Sequence, residues 1–170
     1  MSGRVVVGFA PTPAGYQALR YGVEQATARR APLVVVRAVR VEPFEWSADT
    51  RIHTMVAVTA QVATAFGEAM GGVPSGLEAR VVVDPGRADK ALGAVATQPD
   101  DLLVLGACTR HRLWALVHGI LLRRCLRTVS CPIVVVPPPA MAREGSAGRL
   151  GRDVVSEVEQ FLRRPVELAP

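Results

Sequence analysis

Five short runs of apolar, mostly β-branched residues punctuate this chain: Val5-Val6-Val7, Leu33-Val34-Val35-Val36, Val81-Val82-Val83, Leu102-Leu103-Val104-Leu105 and Ile133-Val134-Val135-Val136. None of them alternates with polar residues. A strand wetted on one side must alternate, so these runs read as strands buried on both faces, the condition of a parallel sheet covered by helices. Aromatic residues make up only 5% of the chain, so the core has to be assembled from Val, Leu and Ala.

The intervening segments carry helical periodicity. Thr12 and Pro13 form a helix opening, a hydroxyl cap followed by proline in the first turn. Tyr16, Leu19, Val23 and Ala26 then recur at helical spacing towards Arg29-Arg30, where cations suit a helix C-terminus. A second helix is expected from Ser47 or Asp49 to Gly71-Gly72, with Ile52, Met55, Val56, Thr59, Val62, Ala63 and Phe66 on one buried face. A third runs from about Arg87 to Thr97, buries Ala88, Leu92 and Val95, and stops before Pro99. A fourth is expected between Gly119 and Ser130.

The resulting order, β-α-β-α-β-α-β-α-β, predicts an α/β fold. It is an open, five-stranded, mainly parallel sheet with helices on both faces and right-handed crossovers. Ligands in such sheets bind beyond the carboxyl ends of the strands, where the winding reverses. The loops Gly8 to Pro13 and Gly106 to Gly119 are the ones concerned. The domain is expected to span residues 1–137. Pro137-Pro138-Pro139 stops the last strand, residues 138–150 read as a linker, and residues 151–170 as a C-terminal extension. In that extension Val154, Val155, Val158, Phe161 and Leu162 form an amphipathic stripe.

A chain of 170 residues is sized for one well-cored domain. The formal charge of +5 comes largely from scattered arginines, which argues against a dedicated nucleic-acid binder. Arg123, Arg124 and Arg127 share a helix but lack interleaved aromatics, and read as a solvated face. The three cysteines, Cys108, Cys125 and Cys131, are odd in number and show no CxxC spacing. No disulfide framework is expected, and a reducing cytoplasm fits. The apolar run near the N-terminus is too short for a signal peptide, and Leu113 to Leu122 is interrupted by His118, so no membrane segment is expected.

At three places the chain resembles the universal stress protein family. RVVVGFAPTPAGYQALRYGVEQA is similar to the family's first strand and helix. VVVDPGRADKALGAVATQPDDLLVLGA resembles its third strand, third helix and fourth strand, and GILLRRCLRTVSCPIVVVPP its final helix and strand. The likeness covers roughly Gly3 to Pro137. It implies an adenine-nucleotide alpha-hydrolase-like, Rossmann-like three-layer sandwich. It also implies a homodimer joined through the last strand, Pro132 to Val136.

The family's nucleotide motif is Gly, two residues, Gly, nine residues, Gly, then Ser or Thr. By resemblance, the positions of that site here are Ala10, Thr12, Gly106, Thr109, Arg110 and Gly119. The outer glycines, Gly106 and Gly119, are in register. Thr109 replaces the middle glycine, and its branched side chain strains a glycine-only conformation. Ile120 and Leu122 replace hydroxyl donors by apolar bulk. Ala10 stands where ATP-binding members carry an aspartate for the nucleoside, and Pro11 follows without an N–H. Each lost contact to a charged group costs on the order of 1.5–3 kcal/mol, so together they should abolish ordinary ATP affinity. Against this, Arg110 and Arg112 can clamp an anion, and a helix opening after Gly119 offers free N–H groups.

The expectation is therefore a dimeric, non-catalytic binding or regulatory module of the cytoplasm, with no cofactor. A nucleotide-dependent switch or slow ATPase, using ATP or another adenine nucleotide in the altered loop, is the alternative. A basic, polyanion-associated protein is the second. No metal site is expected, since Cys108, His111 and His118 have no carboxylate among them and no zinc spacing. Cys108 beside His111 lacks an orienting acid for covalent catalysis. Asp84, Asp100 and Asp101 read as turn and cap chemistry.

Overall fold

In the computed structural model, residues 3–39, 48–107 and 112–140 are described. The side chains of residues 48, 49, 51 and 112–118 are not. The elements are β1 (Val5–Gly8), α1 (Pro13–Arg29), β2 (Leu33–Ala38), α2 (Ala48–Met70), β3 (Ala79–Asp84), α3 (Ala88–Val95), β4 (Leu102–Gly106), α4 (Arg112–Thr128) and β5 (Ile133–Val136). All five apolar runs are strands, each paired parallel to its neighbours in the order β3-β2-β1-β4-β5. The winding reverses between β1 and β4, so the carboxyl ends of these two strands flank the crevice where such sheets bind ligands.

Successive residues of a strand point to opposite faces, and both faces here are apolar. Val5, Val7, Leu33, Val35, Leu102 and Val104 pack with Ala18, Leu19 and Val23 of α1 and Val62, Ala65 and Phe66 of α2. Val6, Val34, Val36, Leu103 and Leu105 pack with Ala91 and Leu92 of α3 and Cys125 of α4. The layer is thus α1 and α2 on one side and α3 and α4 on the other. β5 closes one edge, and its Val135 is 41% exposed.

α1 begins as its sequence predicts. Thr12 is extended and its Oγ1 accepts a hydrogen bond from the Gly15 N–H at 3.1 Å. At the other end Arg30 adopts the left-handed conformation, φ 50°, and its N–H donates to the Ala26 and Thr27 carbonyls. At the amino ends of β1 and β4 a partly buried ion pair joins the strands. Asp101, 1% exposed, accepts from the Arg4 backbone N–H at 2.8 Å, the Arg4 guanidinium at 3.0 Å and the Gln98 N–H at 3.1 Å. Arg4 also donates to the Val95 carbonyl, which ties the end of α3 to the sheet.

Two expectations need correction. The apolar face of α2 is buried only in its C-terminal half: Val62, Ala65 and Phe66 are in the core, whereas Ile52 is 61% and Val56 64% exposed, and Thr59 and Ala63 are exposed too. Ile52, Val56, Thr59 and Ala63 fall on one exposed strip beside the buried strip of Val62, Ala65 and Phe66, so the buried face is rotated from the expected one, and length adds to the exposure of the amino-terminal half. A helix of 23 residues is about 35 Å long, whereas the six-residue strands β2 and β3 span about 20 Å. Because each crossover helix runs back against the strands, the overhang lies at their carboxyl end. The fourth helix begins at Arg112, not after Gly119. No proline or turn residue interrupts the stretch, and one glycine in a helix costs only about 1 kcal/mol, too little to break it.

Backbone proximity divides the chain into Met1–Pro138 and Pro139–Pro170. The expected linker beyond Ala140 and the expected C-terminal helix lie outside the described residues.

Candidate functional site

At the carboxyl end of β1 the chain continues through Phe9 and Ala10 into a tight turn. The Thr12 N–H donates to the Ala10 carbonyl at 2.7 Å, with Pro11 at the centre. Proline's fixed φ suits that three-residue turn, which delivers Thr12 to cap α1. Phe9 is buried and meets Tyr16 edge-on, with ring centroids 5.7 Å apart. A hydrogen bond with Glu68 raises the Tyr16 pKa, with burial and the Glu68 charge adding to it, so that pair links α1 to α2. Ala10 is half-buried and Thr12 exposed, with its hydroxyl oxygen committed to the cap.

Gly106 ends β4 directly beneath the first turn of α1. A Cβ there would lie 2.6 Å from the Ala14 carbonyl oxygen and 2.9 Å from the Gly15 nitrogen, both backbone atoms that cannot swing aside. On its other side Gly106 pairs in register with Val136, and the Ala107 N–H donates to the Val136 carbonyl at 2.7 Å. Gly106 is therefore a packing glycine. The sequence-predicted residues Ala10, Thr12 and Gly106 come together around the start of α1.

Thr109 and Arg110 lie outside the described residues, as do Cys108 and His111, and the side chains of Arg112 and His118 are not described. Gly119 is the eighth residue of the seventeen-residue α4. The N–H groups that follow it are bonded within the helix and are not the free donors of a helix start. Gly119 is exposed, and a Cβ there would meet nothing within 4 Å. Ile120, at the motif's hydroxyl position, is 48% exposed, whereas Leu122 packs against the α3/α4-side core.

One residue at this end of the sheet was not singled out from sequence. Arg37 follows the apolar run of β2 and pairs in register with Val83. The residue is half-buried, and its Nε is buried with no hydrogen-bond partner among the described residues. Burial lowers its pKa. The signal was a cation interrupting an otherwise apolar strand just before the crevice. Among the described residues no group of three His, Cys, Asp or Glu converges to hold a metal ion. No described helix is long and apolar enough to cross a membrane. Cys125 and Cys131 are free and buried, and burial raises the thiol pKa of Cys125 to about 11.

Comparison with known proteins places this geometry. The model of the universal stress protein family matches residues 1–137. A universal stress protein of Mycolicibacterium smegmatis is 27% identical over 134 residues, which is 79% of this chain and 97% of that protein. Among solved structures, a universal stress protein from Archaeoglobus fulgidus is similar with a TM-score of 0.58 and 17% identity, over 80% of this chain and 99% of that one. A universal stress protein in complex with cAMP is similar with a TM-score of 0.59 and 19% identity, over 82% of this chain and 100% of that one.

Proposed function

The chain belongs to the universal stress protein family, and from that premise we propose that it works as a dimeric, non-catalytic binding or regulatory module of the cytoplasm that does not hold ATP in the family's usual way. The observation that carries this reading is the place of Gly119 and Ile120 inside α4, where the helix's own hydrogen bonds use the N–H groups a phosphate would need. Ala10 and Pro11 add to it, since neither offers a side-chain acceptor to a nucleoside. The dimer is supported by β5, an edge strand among the described residues whose apolar Val135 is partly exposed and whose outer side is a liability unless covered.

Three measurements on the full chain test this. Calorimetric titration with millimolar ATP should give no saturable heat. Sedimentation should show a dimer that Val135→Lys turns into monomer. Mass spectrometry of denatured protein should release no stoichiometric adenine nucleotide, and finding one overturns the reading. The cAMP complex of a relative favours a second reading, in which the crevice takes a mononucleotide and acts as a switch. Cyclic AMP carries one phosphate and needs no triphosphate cradle, so it belongs in the same titrations.

A further inference from the structure

We propose that the exposed apolar strip of α2 is a self-association surface, at which two copies of the chain meet with their α2 helices antiparallel about a two-fold axis between Thr59 and Ala60. The contact is separate from the one at β5, since α2 packs on α1 and β3 while β5 forms the other edge of the sheet.

A helix laid on a sheet ordinarily turns charged and polar residues to water. From Ile52 to Gly67, however, α2 contains no Asp, Glu, Lys or Arg, in a chain that is 21% charged. Val62, Ala65 and Phe66 take the core side. Ile52, Val56, Thr59, Ala60, Ala63 and Gly67, recurring at steps of three or four, form a second strip that is exposed. The Thr59 hydroxyl donates to the Met55 carbonyl at 2.8 Å, and the nearby Thr64 hydroxyl to the Ala60 carbonyl at 3.1 Å. Even the hydroxyl protons along the strip are thus committed within the helix.

The order of sizes indicates what covers it. Large residues, Ile52 and Val56, stand at the start of the strip, and small ones, Ala60, Ala63 and Gly67, at its end. Reversed, the strip is its own complement. A two-fold between residues 59 and 60 sets Ile52 opposite Gly67, Val56 opposite Ala63 and Thr59 opposite Ala60. Larger then meets smaller at each level, the condition for two helices to interdigitate at an even spacing. A parallel pair would set Ile52 against Ile52 and Gly67 against Gly67, crowded at one end and open at the other.

Gly67 supplies a second observation. It is interior to α2, has no positive φ, and an added Cβ would meet nothing within 4 Å. Glycine weakens a helix relative to alanine, and neither a turn nor packing among the described residues calls for it. The Ile52 side chain of a second copy does. The uncharged strip also lets two copies meet there without opposing like charges, although each chain carries +5. Ile52 to Gly67 spans about 24 Å of a helix about 10 Å across. That footprint falls well short of the roughly 800 Å² per partner of a stable interface, so the contact closes only at high protein concentration.

The test is sedimentation of the full chain between about 10 µM and about 1 mM, the range of a weak contact. The species present at the dilute end should at least double in mass towards the concentrated end. Val135→Lys, which removes the β5 contact, should still double. Val56→Glu brings a charge against Ala63 and should weaken this step about tenfold or more. Gly67→Gln should also weaken it, by filling the seat of Ile52, while melting no lower than the parent at about 10 µM, since glutamine is the better helix former. In a Cys108→Ser background, where the remaining Cys125 and Cys131 are buried, Ala60→Cys should oxidise with copper phenanthroline in air to a disulfide-linked dimer. Gln61→Cys, turned away from the strip, should not. Constant mass in the parent and in Val135→Lys across the range overturns the proposal and gives the strip to a different partner. So does a Val56→Glu protein that associates as the parent does, or Gln61→Cys cross-linking as readily as Ala60→Cys. A parent that is monomeric when dilute and doubles when concentrated overturns the β5 dimer and leaves this contact standing.

Discussion

Gly106 and Gly119 occupy equivalent-looking places in one motif, yet the structure assigns opposite responses to the same substitution. Gly119 is interior to α4, exposed, with no positive φ and nothing within 4 Å of an added Cβ. Alanine there removes the conformational entropy penalty of glycine in a helix, so Gly119→Ala should stabilise by about 0.5–1 kcal/mol. Gly106→Ala drives a methyl group into the backbone of Ala14 and Gly15. Overpacking of that kind costs about 1–3 kcal/mol, of which a smaller unfolded-state entropy returns about 0.4–1, leaving a net loss of roughly 1–2 kcal/mol. Thermal melting read by circular dichroism resolves both, since 1 kcal/mol shifts Tm by roughly 3–5 °C in a unit of this size. Gly119→Ala should melt about 2–4 °C above the parent and Gly106→Ala several degrees below it, as these energies imply. A Gly119→Ala protein destabilised by about 1 kcal/mol or more would refute the helix-interior placement. It would mean that Gly119 sits in a loop conformation that needs glycine.

Three further outcomes follow from features away from that motif. Asp101→Ala leaves the Arg4 and Gln98 backbone donors without their carboxylate and should cost about 3 kcal/mol in urea unfolding, with the ion-pair share discounted because Arg4 is 36% exposed. Burial works to raise the Asp101 pKa, but the Arg4 and Gln98 hydrogen bonds outweigh it and hold it low. Its contribution is therefore complete above the unfolded value near 4, and the gap between parent and Asp101→Asn should close as pH falls below that. Thr12→Ala removes the α1 cap and should cost about 1 kcal/mol by the same measurement. Arg30→Gly relieves a left-handed arginine and should raise the melting temperature, by the equivalent of about 0.5–1 kcal/mol.

The strands were legible because burial on both faces leaves an unmistakable pattern, and every apolar run became a strand. Helix starts were harder to read. Reading α4 as opening after Gly119 gave a motif glycine more weight than the unbroken helix-forming stretch ahead of it. The helix of α2 was legible as a periodic stripe, but its apolar residues are spread too widely to fix which strip is buried, and periodicity carries no information about how far a helix outruns its sheet, so Ile52, Val56, Thr59 and Ala63 were assigned to a core that does not hold them. Ala10, Thr12 and Gly106 lie near one another because the ends of β1 and β4 are adjacent wherever the winding reverses. Arg37 and the Arg4–Asp101 pair escaped because their meaning lies in contacts between distant segments. A cation's lack of a partner among the described residues is visible only once its neighbours are in place.

The packing of Gly106 against α1 separates what the fold demands from what any ligand would demand. A residue whose one task is to touch a ligand can be exchanged without cost to folding. Gly106 is not of that kind, because any side chain there strikes the backbone of Ala14 and Gly15 whether or not anything is bound. A glycine at that place is a requirement of the architecture and by itself says nothing about whether a ligand binds beside it.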